Sequence, residues 1–175
     1  MIIVITGGSG SGKSAYAEER AAALGRGEMI YLATMASRDE ESLDRIRKHR
    51  ERRAPLGFRT VERPFDLAGE AQGWAEKSGR TVLLECMSNL AANEMFMAPR
   101  GPEGAAARIQ AGIDRLREKC DNLVIVTNEV FSDGGGYDET TQRWIALLGG
   151  VNAYLGQLAD EVWEVVAGIP LKIKG

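Results

Sequence analysis

The sequence predicts one α/β domain in which a mostly parallel sheet is flanked by helices and ends in an antiparallel C-terminal hairpin. Four short apolar runs, at residues 1–6, 29–34, 81–86 and 123–130, alternate with segments of helical periodicity. Runs rich in Val, Ile and Leu between helices are typical of parallel strands that are buried on both faces. The chain has 175 residues and no internal repeat, so we expect a single domain over residues 1–175.

The strands and helices follow one another in a regular order. The strands are MIIVIT, MIYLAT, TVLLEC and LVIVTNEV, with FRTVER at 58–63 as a weaker fifth. Apolar residues recur at helical spacing in five segments, at 13–24, 39–53, 66–77, 103–119 and 138–159. The final segment, EVWEVVAGIPLKIKG, predicts two strands joined by a tight turn at Gly168, Ile169 and Pro170. The glycine- and proline-rich segments 97–104 and 132–136 are expected to be the most mobile.

Composition excludes several classes of protein. The chain has no run of about 18 apolar residues, and its opening lacks a basic segment before an apolar one, so we expect a cytoplasmic protein without a membrane span. Cys86 and Cys120 are not part of a C-x-x-C pair, which argues against a disulfide framework or a zinc site. A net charge of −3 disfavours broad binding of nucleic acid.

A glycine-rich motif follows the first strand directly and opens the first helix. GGSGSGKS fits G-x-x-x-x-G-K-[ST], in which backbone N–H groups surround phosphates, the lysine contacts the β- and γ-phosphates, and the last hydroxyl can bind Mg²⁺. A flexible turn without a ligand is the alternative. We therefore predict a P-loop that binds a nucleotide through Gly7, Gly8, Ser9, Gly10, Ser11, Gly12, Lys13 and Ser14.

Glu85 ends the apolar run TVLLE, at the position where P-loop proteins place an acidic residue that orients Mg²⁺ or its water. Ser14 and Glu85 are thus the candidate metal ligands, and Mg²⁺ bound with GTP or ATP is the expected cofactor. The alternative is a carboxylate at a strand end that has no ligand.

The only histidine of the chain, His49, lies in the basic segment RIRKHRERR. On a helix over 39–53, His49 continues the stripe of Leu43 and Ile46 and therefore leans toward the protein body. Neighbouring positive charge lowers the pKa of an imidazole, which keeps it neutral and nucleophilic toward phosphorus. Three interpretations stay open: a covalent carrier of a nucleotidyl group, an inert surface histidine, and a noncovalent phosphate contact.

The ordered motifs TGGSGSGKS, YLAT, RIRKHR, FRTVERP, VLLECMSNLAANEMF, VIVTNEV and GGVNAYLGQLADEVWEVVAGIP resemble a known family over nearly the whole chain. This family is the bifunctional adenosylcobinamide kinase/adenosylcobinamide-phosphate guanylyltransferases of cobalamin biosynthesis. The resemblance implies that a nucleoside triphosphate phosphorylates the adenosylcobinamide hydroxyl. It also implies that GMP from GTP is then transferred to that phosphate, with release of pyrophosphate.

The resemblance also implies roles for individual residues. It makes His49 the catalytic residue that forms a GMP-histidine intermediate, and it implies a homotrimer. Its GTP contacts correspond to the P-loop and to Thr34, Met35, Ala36, Arg50, Glu51, Arg52, Arg53, Glu62 and Glu85. GTP, ATP and adenosylcobinamide or its phosphate are the implied partners.

Other functions remain to be compared with this one. A P-loop kinase of another small alcohol, a noncatalytic GTP-dependent regulator, and an RNA-binding module that uses the basic segment are each compatible with part of the pattern. RNA binding is disfavoured because no aromatic residue interleaves the basic run. The loop after Val130 leaves the carboxyl end of a parallel strand, so it either lines the mouth of the site or is a divergent surface loop.

Overall fold

The fold is built around a seven-stranded sheet. The computed structural model describes residues 1–36, 47, 51, 53–75, 79–132 and 135–175. In chain order the strands are β1 (Ile2–Thr6), β2 (Met29–Ala33), β3 (Arg59–Glu62), β4 (Thr81–Glu85), β5 (Asn122–Val126), β6 (Glu161–Val166) and β7 (Ile169–Lys174). Their order across the sheet is β3-β2-β4-β5-β1-β6-β7. Only the β6–β7 pairing is antiparallel, as the sequence predicts.

Five helices cover the sheet within the described part of the chain: α1 (Lys13–Leu24), α2 (Leu67–Gln72), α3 (Met87–Phe96), α4 (Ala105–Glu118) and α5 (Glu139–Leu158). A short 3₁₀ helix spans Ala54–Leu56. Alternate strand residues enter two separate cores. Val82 and Leu84 pack with α2 to α5, whereas Leu83 packs with α1 on the opposite face. The sheet is therefore buried on both sides, which explains its continuous apolar runs.

The end of the chain forms the predicted hairpin, but the turn residues were predicted wrongly. The turn is Ala167-Gly168, and both residues have a positive φ, of 49° and 82°. This is the geometry of a two-residue hairpin loop that matches the twist of its strands. Ile169 and Pro170 are instead the first residues of β7.

Helix boundaries differ from the predicted ones where glycine intervenes. Helix α2 ends at Gln72 with Gly73 as its C-cap, and α4 begins only after Gly104, whose φ is 72°. Helix α5 matches its prediction closely, because Asp138 accepts a hydrogen bond from the Thr141 N–H as its N-cap. The predicted helix over 39–53 lies largely outside the described residues. None of the helices in the described ranges has the length and apolar character needed to cross a bilayer.

Helix α3 was not predicted. Its segment, MSNLAANEMF, buries Ser88, Asn93 and Glu94 as well as apolar residues, so its hydrophobic periodicity is interrupted. Each of these polar side chains has a partner: Asn93, for example, donates to the Thr34 carbonyl at 2.7 Å. The partners belong to distant parts of the chain, which sequence periodicity does not reveal.

Candidate nucleotide-binding site

A cleft of about 570 Å³ opens at the carboxyl ends of the parallel strands. It is lined by residues 9–15, from the P-loop and the start of α1, and by residues that end or follow β2, β4 and β5: Met35, Glu85, Cys86, Asn89, Val126 and Asn128. This is the edge at which open α/β sheets bind ligands. The cleft therefore brings together the glycine motif and Glu85, two features that the sequence analysis treated separately.

The P-loop uses glycine where its backbone demands it. Gly10 and Gly12 have φ values of 71° and 93°, which L side chains rarely adopt. Gly12 is also the N-cap of α1 and has no side-chain capping partner. The positive end of the helix dipole thus faces the cleft, an arrangement suited to phosphate.

Lys13 is anchored beside this loop. Its Nζ donates to the Gly8 carbonyl at 2.9 Å, and the residue is only 9% exposed. Burial lowers the pKa of Lys13 below its ordinary value, and the nearby Cys86 and Glu85 oppose that shift. An ammonium group held in this position is placed to neutralise phosphate charge.

The hairpin turn packs against the same loop. The Gly168 N–H donates to the Ser11 carbonyl at 2.9 Å. A Cβ added at Gly12 would lie 3.4 Å from the Gly168 Cα. The turn of the β6–β7 hairpin therefore packs against Ser11 and Gly12 of the P-loop. This contact was not predicted from the sequence.

Glu85 connects the P-loop to the second strand. The Ser14 hydroxyl donates to its Oε1 at 2.6 Å, and the Tyr31 hydroxyl donates to its Oε2 at 2.5 Å. Burial is the main cause that raises the pKa of Tyr31 above its ordinary value, and Glu85 adds to the shift. The Tyr31 hydroxyl thus stays protonated and remains a donor.

The donor atoms of Ser14 and Glu85 fit Mg²⁺. The ion prefers oxygen ligands and usually takes one or two carboxylates, with phosphate and water in its other positions. The described residues contain no group of three or more His, Cys, Asp or Glu side chains that could hold a metal. A site of this kind would therefore draw its remaining ligands from nucleotide phosphates and water.

A polar network holds the chain just after Glu85. The Thr34 hydroxyl donates to the Cys86 carbonyl at 2.8 Å and accepts from the Cys86 N–H at 2.7 Å. Beyond it, Ser88 Oγ lies 2.8 Å from Cys86 Sγ and accepts from Asn128 Nδ2 at 2.5 Å. The network ties the ends of β2, β4 and β5 together at the floor of the cleft.

The chain matches the family model described as cobinamide kinase / cobinamide phosphate guanyltransferase over residues 3–173. The chain belongs to this family. Two relatives are named bifunctional adenosylcobalamin biosynthesis protein CobU. That of Escherichia coli K12 is 34% identical over 186 residues, covering 99% of this chain and 100% of the relative. That of Salmonella typhimurium LT2 is 34% identical over 188 residues, covering the same shares.

A third relative and a solved structure complete the comparison. The bifunctional adenosylcobalamin biosynthesis protein CobP of Pseudomonas aeruginosa PAO1 is 31% identical over 172 residues, covering 98% of this chain and 96% of the relative. The crystal structure of flagellar accessory protein FlaH from Methanocaldococcus jannaschii matches with a TM-score of 0.52 at 13% identity, covering 99% of this chain and 77% of that one. This likeness concerns the fold alone. The mostly parallel sheet, with a glycine-rich loop between β1 and α1, makes the fold of this chain P-loop NTPase-like, as the sequence predicts. The family resemblance found in the sequence motifs is confirmed.

The residues that the family resemblance implies for GTP fall into four groups, of which the basic segment is the last. Residues 9–14 of the P-loop, Met35 and Glu85 line the cleft, whereas Gly7 and Gly8 are not among its lining residues. Thr34 is fully buried and bonds to Cys86, while Ala36 is exposed beside it. Glu62 is exposed at the end of β3, opposite Ala33, which in turn lies opposite Glu85. Two strand spacings, about 10 Å, thus separate the backbones of Glu62 and Glu85.

The basic segment is described only in part. His49, Arg50 and Arg52, all predicted for the family site, lie outside the described residues. Glu51 is exposed, whereas Arg53 is 4% exposed and its guanidinium lies 3.3 Å from the centre of the Tyr31 ring. Arg53 therefore packs on the tyrosine that bonds to Glu85 and is not among the residues that line the cleft.

Sequence reasoning did not identify Tyr31, Cys86, Asn89 or Asn128 as parts of the site. Asn128 follows β5 at the carboxyl edge of the sheet, so its position relative to the strand was a usable signal. Asn89 lies on the unpredicted helix α3. Tyr31 lies inside a strand and carries no local signal, because its contact with Glu85 depends on the pairing of β2 with β4.

Proposed function

We propose that this member of the family phosphorylates the hydroxyl of adenosylcobinamide and then transfers GMP from GTP to the resulting phosphate. The products of the second reaction are adenosylcobinamide-GDP and pyrophosphate. The observation that carries the proposal is the P-loop cleft, in which Ser14 and Glu85 meet at 2.6 Å, in a chain that matches this transferase family from residue 3 to residue 173. We retain no second candidate function, because nothing in the described residues favours one.

The P-loop supplies the triphosphate site. Its backbone N–H groups and the N-terminus of α1 attract phosphate oxygens, and Lys13 balances their charge. Because Lys13 is already held by the Gly8 carbonyl, little conformational freedom is lost when phosphate binds. The same loop would serve a nucleoside triphosphate in each of the two reactions.

Ser14 and Glu85 would hold Mg²⁺, which supplies charge neutralisation between the phosphates when it is bound. Binding of the ion would require the Ser14 hydroxyl to give up its hydrogen bond to Glu85 Oε1. Glu85 keeps a second hydrogen bond, from Tyr31, so its orientation does not depend on Ser14 alone. The chain's own contribution is to fix one carboxylate and one hydroxyl at the edge of the phosphate site.

His49 is the proposed nucleophile of the guanylyl transfer. A ring nitrogen forms a bond to the α-phosphorus of GTP, and the bond from that phosphorus to the β-phosphate oxygen breaks, which releases pyrophosphate. A phosphate oxygen of adenosylcobinamide phosphate then attacks the same phosphorus, and the N–P bond breaks to regenerate the imidazole. Arg50 and Arg52 are proposed to stabilise the charge on the leaving pyrophosphate.

The homotrimer that the resemblance implies, and the cytoplasmic location expected from composition, stay predictions. Light scattering of the purified protein would determine the oligomeric state. Fractionation of cells that express the full chain would determine its location. Neither property enters the chemistry proposed above.

The experiment that tests the proposal uses GTP labelled in its phosphates. Label at the α-phosphate should remain on the protein with release of pyrophosphate, and label at the γ-phosphate should not. The bond should be labile in acid and more persistent in base, as expected for a phosphoramidate rather than a serine phosphoester. Addition of adenosylcobinamide phosphate should remove the label and form the GDP-linked product.

Because His49 is the only histidine, His49→Asn tests the nucleophile directly. The variant should bind GTP but acquire no label. If it is labelled and still makes the GDP-linked product, the nucleophile is another residue. If the unaltered protein acquires no label and releases no pyrophosphate, the guanylyl-transfer proposal is wrong, and separate measurement of the kinase reaction decides whether a plain kinase remains.

A further inference from the structure

The guanidinium of Arg53 is buried on the face of the Tyr31 ring, and Arg53 is not among the residues that line the cleft. Arg53 is 4% exposed, and its charge faces Glu18 at 3.8 Å, too far for a hydrogen bond. Its Nε and Nη1 have no hydrogen-bond partner among the residues that the structure describes. Its guanidinium carbon lies over the Tyr31 ring, at 3.3 Å from the ring centre. A cation–π contact of this kind is strongest where water is excluded.

The ring beneath Arg53 is fixed from several sides. Tyr31 is 5% exposed, lies in β2 directly opposite Leu83 of β4, and meets the Phe58 ring edge-on. Glu85 is two residues beyond Leu83, so it points to the same face of the sheet. This register brings the Tyr31 hydroxyl to 2.5 Å from Glu85 Oε2, while Oε1 faces Ser14.

We infer that Tyr31 is a positioning residue that holds the Glu85 carboxylate toward Ser14, and that Arg53 locks the Tyr31 ring in that position. The inference rests on the proposed function for the role of Glu85 at the phosphate site. Without Tyr31, the Glu85 carboxylate would lose one of the two side-chain hydrogen bonds that the described residues give it. With it, the two carboxylate oxygens have different partners, and Oε1 is the oxygen that faces Ser14 beside the P-loop.

Tyr31→Phe is the test, because it removes the hydroxyl and keeps the ring under Arg53. GTP affinity is measured by calorimetry in EDTA and in Mg²⁺, so the readout is binding rather than turnover. The variant should bind GTP in EDTA within about twofold of the unaltered protein. Its gain in affinity on adding Mg²⁺ should be about tenfold smaller, the size expected for loss of one hydrogen bond to a charged group.

The matched control is Tyr154→Phe. The Tyr154 hydroxyl also donates to a carboxylate, Asp114 at 2.7 Å, but this pair joins α4 to α5 away from the cleft. Tyr154→Phe should leave the Mg²⁺-dependent gain unchanged. An equal loss in both variants, or an unchanged gain in Tyr31→Phe, would overturn the inference.

Arg53→Lys tests the lock while keeping a positive charge opposite Glu18. It should reduce the Mg²⁺-dependent gain, and in combination with Tyr31→Phe the two effects should not add, because they act through one chain of contacts. Fully additive losses would show that Arg53 does not act through Tyr31. A failure of the proposed function is separate: there, the unaltered protein would acquire no α-phosphate label and release no pyrophosphate, whatever its gain in GTP affinity with Mg²⁺.

Discussion

Thr34→Val should destabilise the protein far more than a typical surface substitution. Valine has nearly the shape of threonine, so the change removes the hydroxyl and leaves the packing almost intact. Thr34 is fully buried, and its hydroxyl both donates to the Cys86 carbonyl and accepts from the Cys86 N–H. The Cys86 carbonyl retains a second partner, the Leu90 N–H at 3.1 Å, but the Cys86 N–H has no other acceptor among the residues that the structure describes.

The expected cost follows from these contacts. A buried N–H without a partner costs about 1–3 kcal/mol, and loss of the bond to the carbonyl adds about 1 kcal/mol. The sum, about 2–4 kcal/mol, is a large part of a typical folding stability of about 5–15 kcal/mol. With a urea m-value of about 2 kcal/mol/M, the midpoint should fall by about 1–2 M.

Urea unfolding followed by circular dichroism measures this cost, and Thr127→Val is the matched control. Thr127 is also buried just beyond a parallel strand, but its hydroxyl makes a single bond, to Asn152 Oδ1 at 2.7 Å. Asn152 is only half-buried, so water can replace that bond, and the cost should be about 1 kcal/mol. Thr34→Ser, which keeps the hydroxyl, should recover most of the loss. If Thr34→Val costs no more than Thr127→Val, the reasoning is refuted.

Four further predictions concern packing, a buried ion pair and the P-loop. Gly112→Ala in α4 should destabilise by about 1–3 kcal/mol in thermal melts, since its Cβ would lie 2.7 Å from a leucine of α2. Gly156→Ala in α5 has open space and should stabilise by about 0.5–1 kcal/mol. Arg108→Ala should cost about 3 kcal/mol in urea, because it leaves the buried Glu94 carboxylate without its 2.8 Å ion pair. Lys13→Ala should weaken GTP binding about 10- to 100-fold in calorimetry with the fold retained by circular dichroism, and an unchanged affinity would contradict the assignment of the P-loop.

The sheet was predictable because its signals are local. The four central strands β1, β2, β4 and β5 are buried on both faces, so their residues form continuous apolar runs, and the glycine motif marks where the first strand turns into a helix. The hairpin was also predictable from a local signal, because two short strand-like segments flank a glycine- and proline-containing turn. Its turn was misplaced because the sequence GIP offers two turn-forming residues, whereas the backbone places the positive φ angles at Ala167 and Gly168.

Helix α3 and the interior of the site were not predictable, because they depend on contacts between distant parts of the chain. Asn93 donates to the carbonyl of Thr34, 59 residues away. Tyr31 donates to Glu85, 54 residues away. Periodicity treats Ser88, Asn93 and Glu94 as polar interruptions of a helix. In the fold they are satisfied polar groups behind the cleft, which is the condition for burying them at little cost.

The placement of Thr34 and Arg53 changes how family residues of this kind are interpreted. Both were implied as GTP contacts by the resemblance, and the structure buries both, with Thr34 bonded to Cys86 and Arg53 stacked on Tyr31. Each contacts a neighbour of the cleft: Thr34 the residue after Glu85, and Arg53 the tyrosine that bonds to Glu85. Substitution of either can therefore change nucleotide binding without the loss of a direct contact. The two substitutions should act differently. Thr34→Val should lower the stability of the protein, whereas Arg53→Lys should lower mainly the Mg²⁺-dependent gain in GTP affinity.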